Sequence, residues 1–110
     1  MRRVTRITGG TRLDEDVALG TGLRQIEELR MHLENPGAVP AELFTITLDS
    51  GAGAEYDTVL FSQDMNGVQD LHWLPTRPIL LFPGDVLALL WANAADDTYG
   101  VEIVWSGLGA

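Results

Sequence analysis

The chain has 110 residues, 45% hydrophobic and 21% charged, with a formal net charge of −9 and no cysteine. One domain with a real core fits this length, and the missing cysteines exclude a disulfide scaffold, a thiolate metal site and a cysteine nucleophile. The acidic balance argues against nucleic acid as a partner, while the lack of any long apolar run, or of an apolar segment after the basic opening, argues against a membrane span or secretory signal.

In chain order, residues 1–8 read as a basic arm leading into a first strand over 4–8, and residues 9–110 as a single sandwich domain. Arg2, Arg3 and Arg6 stand on the arm, and Gly9-Gly10 ends it. Asp14, Glu15 and Asp16 are expected in a loop. Residues 19–33 are ambiguous. Leu19, Leu23, Ile26, Leu29 and Leu33 keep helical spacing, yet Leu29, Met31 and Leu33 alternate with Arg30 and His32 as in a strand. A strand over 43–48 buries Phe44, Ile46 and Leu48 on one face, and the Gly-rich run 49–53 turns the chain. Strands follow over 56–62 and 71–74, separated by the turn signal at 64–67. Residues 79–82 and 86–91, joined by Pro83-Gly84, read as a two-strand unit with a tight corner. A polar loop at 93–98 precedes a last strand over 99–105. The regular turns between strands predict an all-β, antiparallel β-sandwich or jelly roll.

Two composition features bear on partners. Residues 1–30 carry six Arg against five acids, whereas residues 31–110 carry one Arg against eleven acids, and the chain has no Lys. An Arg-bearing arm on an acidic body suits a salt-sensitive contact with a neighbouring copy or another protein. Residues 86–91 are apolar on both faces, which calls for a covering layer or a protein partner.

Candidate chemistry is sparse. His32 and His72 stand 40 positions apart, and no nucleophile-elbow motif joins either to Ser50, Ser62 or Ser106. No metalloprotease helix motif or phosphate loop is present. The acids at 14–16, 49–57 and 96–97 match no calcium loop and read as a solvated rim. Trp73, Trp91 and Trp105 could line up as a sugar platform, but core or interface packing is the commoner use of Trp in small sandwiches.

Two stretches, 44–51 running on through 56–64 and 78–85 continuing to 91–93 and 98–105, together with Arg6-Ile7-Thr8-Gly9-Gly10, carry a resemblance. They look like small β-sandwich virion proteins encoded among the structural genes of tailed bacteriophages. The resemblance covers residues 5–105, and its motifs are turns and core strands, so no catalytic residue comes with it. It implies the size and plan of capsid decoration or cement proteins, head-spike bases and small tail adaptors. It also implies a strand through 28–33 and a short helical turn near 19–25.

The resulting expectation is a non-enzymatic virion protein, assembled in the host bacterial cytoplasm, that decorates or cements the capsid exterior. It would need no cofactor or metal. Its partners would be the major capsid protein or other virion proteins and further copies of itself, as a dimer or trimer, with neither nucleic acid nor membrane. Arg2, Arg3 and Arg6 are the candidate docking residues, and Trp91 and Trp105 the candidate apolar anchors. The alternative is a carbohydrate- or receptor-binding module or adaptor on a head spike or tail.

Overall fold

A computed structural model describes residues 1–108. Its elements are β1 (Arg2–Gly9), β2 (Leu13–Val17), β3 (Arg24–Leu33), β4 (Leu43–Asp49), β5 (Thr58–Asp64), β6 (Asp70–Trp73), β7 (Ile79–Leu81), β8 (Val86–Trp91) and β9 (Tyr99–Gly107), with a 3₁₀ turn at Ala54–Tyr56. The strands form two antiparallel sheets. The first runs β1-β9-β3-β6, with β7 also paired to β3, and the second runs β2-β8-β4-β5. The order is that of a jelly roll. One ribbon sets β1 and β2 against β9 and β8, a second sets β3 and β4 against β6–β7 and β5, and the two are rolled together.

Alternation fixes which residues fill the space between the sheets. Leu87, Leu89 and Trp91 point inward from β8, Phe44 and Ile46 from β4, Leu29, Met31 and Leu33 from β3, and Val101, Ile103 and Trp105 from β9. The sandwich expected from sequence is therefore present, and several strands fall where the alternation put them.

The differences have physical causes. Residues 2–8 are not a free arm but most of β1, in unbroken register with β9 from Arg2↔Ser106 to Gly9↔Tyr99. Residues 14–16 are not a loop but the middle of β2, which buries only Leu13 fully and leaves its three acids exposed. The helical turn near 19–25 is absent, because Leu19 (φ 55°) and Gly20 (φ 87°) are left-handed and β3 begins at Arg24. The helix-like spacing of Ile26 and Leu29 has its origin in a bulge: the register against β9 shifts between Ile26 and Glu28, so one extra residue separates two inward side chains. Finally, residues 79–82 and 86–91 do not pair. β7 joins β3 and β8 joins β4, so the Pro83-Gly84 corner carries the chain from one sheet to the other.

Two buried polar side chains close the ends of the roll. At one end Asn93, 1% exposed, donates from Nδ2 to the carbonyls of Thr11 (2.8 Å) and Asp97 (2.9 Å), and its Oδ1 accepts from Asp97 N–H. It thereby ties the β8–β9 connection to the β1–β2 connection. Gly37 packs at the same end against the Met65 carbonyl so closely that no Cβ would fit. At the other end Arg24, 2% exposed, donates to the carbonyls of Gly22 (2.6 Å), Phe82 (2.6 Å), Gly20 (3.2 Å), Asp85 (3.2 Å) and Ala18. The Asp85 carboxylate in turn accepts from Gly51 and Phe82 N–H, both at 2.9 Å. Desolvation pulls the Arg24 guanidinium below its ordinary pKa, and the nearby Asp85 charge offsets part of that.

Candidate functional site

The outer faces of the two sheets differ in kind. On the first sheet, strand register lays charges in rows. Arg6 stands opposite Glu102, Glu102 opposite Arg30, and Arg30 opposite His72. The next row runs Thr8, Gly100, His32 and Asp70. The charges are largely consumed within the face. Glu102 accepts from Arg6 Nε at 2.7 Å and lies 3.5 Å from Arg30, and His32 Nδ1 donates to Asp70 Oδ1 at 2.6 Å. His72 Nε2 donates to Glu28 Oε2. That hydrogen bond, with help from Arg30 and Arg2 and against some desolvation, holds the Glu28 carboxyl below its usual range.

Because Gly100 has no side chain, the second row leaves a strip of bare backbone, and a shallow concavity of about 470 Å³ opens there. Arg6, Thr8, Arg30, His32, His72 and Glu102 are among its lining residues. It thus brings together the two histidines that sequence left apart. Each ring is oriented by a carboxylate, which is an acid–base arrangement. Thr8 supplies the one hydroxyl group in the lining; Ser50, Ser62 and Ser106 do not border the concavity. Among the described residues, no group of three or more metal-type ligands comes together.

The second sheet turns a different face outward. Its rows run Asp14–Leu90–Thr45–Ser62 and Asp16–Ala88–Thr47–Val59. Leu90 is 40% exposed, Val59 62% and Leu43 50%. The four strands hold five acids and no base. The two-sided apolarity of 86–91 therefore has two explanations: one side of β8 is core, while the other faces outward with no further layer of the described chain over it.

The residues singled out from sequence separate clearly. Arg2 and Arg6 sit on the outer face of the first sheet, exposed, with Glu27 (3.9 Å) and Glu102 as partners. Arg3 points to the other side of β1, where its guanidinium lies 5.5 Å from the Trp105 ring centre. Trp91 and Trp105 are not available as anchors. Trp91 is 1% exposed, edge-on to Tyr99 in the core, and Trp105 is 7% exposed, donating from Nε1 to Thr5 Oγ1 at 3.0 Å. Trp73, 9% exposed, stacks on Phe61, so the three Trp form no surface platform. Sequence reasoning missed Arg24, the most consequential cation of the molecule; its only local signal is a charge beside the inward position of Ile26. Among the described residues, no helix is long and apolar enough to cross a membrane. The chain matches no protein-family model and no curated protein.

Proposed function

We propose that the chain is a non-enzymatic structural protein of a tailed-phage particle, decorating or cementing the capsid exterior through protein–protein contacts. The observation that carries this reading is the uncovered outer face of the second sheet, where Leu43, Val59 and Leu90 stand in water with an acidic margin and no cation in the strands. Val86, Ala88 and Leu90 make an apolar strip along β8 that Thr45 and Thr47 separate from Val59, and exposed apolar side chains gathered on one face among polar groups mark interaction sites on small soluble folds. Seating that face on the major capsid protein or another virion protein would take these side chains out of water, at about 1.5–3 kcal/mol for each one fully buried. The acidic margin would steer the face toward basic ground and set the orientation. With Trp91 and Trp105 inside the core, the apolar anchoring falls to this face.

The test is re-addition to native particles stripped of the protein. Wild type should reoccupy them, and Val59→Glu with Leu90→Glu should lower apparent affinity at least about tenfold, since each 1.4 kcal/mol is a factor of ten. Equal occupancy by both would end this reading.

A second reading, a glycan- or receptor-binding module on a head spike or tail, is favoured by one observation: the concavity around Gly100, with its Arg, His and carboxylate rim. It predicts that a glycan perturbs the NMR signals of Thr8, Gly100 and His32. A flat response across a glycan panel would retire it.

A further inference from the structure

We propose that the flank carrying β1 and β2 docks a second copy of this chain, with β1 of each copy pairing to β2 of the other. This rests on the reading of the molecule as an adhesive module but not on any shell. Mass is measured on the isolated protein and attachment on particles, so either can fail alone.

The first support is the distribution of free sheet edges. β1 and β2 end their sheets on one side, β6–β7 and β5 on the other. The far edges are poor templates. β6 has four residues and β7 three, with Pro75 and Pro78 between them, and β5 is offset by a register shift against β4. β1 is different: eight residues, no Pro and continuous register with β9, which leaves its other side a regular row of backbone donors and acceptors.

The second support is position. Three residues link Gly9 to Leu13, a reach of at most roughly 15 Å. Packed sheets lie about 10 Å apart, so β2 starts beneath the end of β1 and the two edges share one flank.

The third support is charge. β1 holds Arg2, Arg3 and Arg6 and no acid; β2 holds Asp14, Glu15 and Asp16 and no base. Among the described residues, Arg3 has no carboxylate within ion-pair distance, and neither Glu15 nor Asp16 has a cation. Pairing β1 with β1, or β2 with β2, sets like charges side by side, which disfavours those assemblies. Crossed pairing brings a basic edge against an acidic one at both seams.

A two-fold axis parallel to the strands produces this in one closed step. It exchanges the layers, bringing β1 beside the partner's β2 and β2 beside the partner's β1, as an isologous interface requires. It also keeps the faces matched. Because the axis keeps each residue at its height, Arg6 comes level with the partner's Asp16, and both point outward. β2 ends at Val17, level with Thr5, so Arg2 and Arg3 lie past the end of the partner's β2 and add only to the positive potential of the β1 edge.

The experiment is light scattering after gel filtration on the full chain. Wild type should have a two-chain mass at 0.1 M salt and a one-chain mass at 1 M, as the screening length falls from about 10 Å to about 3 Å. Arg3→Glu with Arg6→Glu reverses the β1 edge, and Glu15→Arg with Asp16→Arg reverses the β2 edge. Each variant alone should be a single chain, and an equimolar mixture should regain the two-chain mass. A chain carrying all four changes should dimerise again, which decides the matter even if one two-site variant fails to fold. A one-chain wild type at 0.1 M salt, a two-chain mass in either two-site variant alone, a four-site variant that stays single, or a mass of three chains or more would overturn the proposal.

Discussion

Arginine appears in two settings in this molecule, and they are worth different amounts. At the closed end, Arg24 is withdrawn from water and its guanidinium is spent on backbone carbonyls from two connections. On the outer face of the first sheet, Arg6 and Arg30 meet the carboxylate of Glu102 while remaining 68% and 45% exposed. The surface group has the formal ion pair and the buried one does not. Yet the buried one should matter more, because its removal unties two connections at once and leaves the carbonyl and carboxylate of Asp85, itself 7% exposed, without their cation. Counting ion pairs would rank the two regions in the wrong order.

The largest expected effect is therefore at Arg24. Arg24→Met keeps most of the volume but releases the carbonyls of Ala18, Gly20, Gly22 and Phe82 from one another and leaves the buried Asp85 without its cation; urea unfolding should show a loss of about 3–5 kcal/mol. A loss below about 1 kcal/mol would put the buried and the surface arginines on the same footing. At the opposite end, Asn93→Ala removes a neutral pin and should cost about 1–3 kcal/mol, visible as a lower urea midpoint at unchanged slope. Smaller again, Arg6→Ala and Arg30→Ala should each cost under about 1 kcal/mol, with the difference from wild type shrinking in 1 M salt. The smallest effect is a pH dependence. Because the folded-state pKa of Glu28 is lowered, its contribution is fully present above its ordinary value of 4.5 and is lost as pH falls through the lowered folded value. Glu28→Gln should lower the neutral side slightly and meet wild type at the acid end, so that the acid slope flattens. A Glu28→Gln profile parallel to wild type down to pH 3 would remove that carboxylate from the face's energetics.

Much of the fold was legible because most strands bury one face. Residues 43–48 announce themselves by alternation and 86–91 by an unbroken apolar run, and both belong to central strands of the second sheet. What sequence hid follows from where alternation breaks. In β2, three consecutive acids mask the two apolar inward positions, Leu13 and Val17, since an edge strand needs little burial to hold its place. In β3, the bulge supplied a helical period. The Pro-Gly corner signalled a turn but could not signal that its two arms belong to different layers. The surface sites were less legible, because they are made by register between distant strands. His32 and His72 become neighbours of one concavity only through β3 and β6, while Trp91 and Trp105, conspicuous in sequence, are ordinary core. Arg24 had only its place on the inward face of Ile26 to mark it, since its partners are carbonyls and any sequence has those.

The first pair of the β1–β9 ladder, Arg2↔Ser106, lies at the same end as the start of one strand and the close of the other. A pulling force applied between those two points would open the seam like a zip, one rung at a time, and meet little resistance. Tension delivered through the broad sides of the sandwich would instead fall on many rungs together. A module of this build is mechanically weak along its own thread and strong across its faces, so any load it carries in an assembly is best taken through its surfaces.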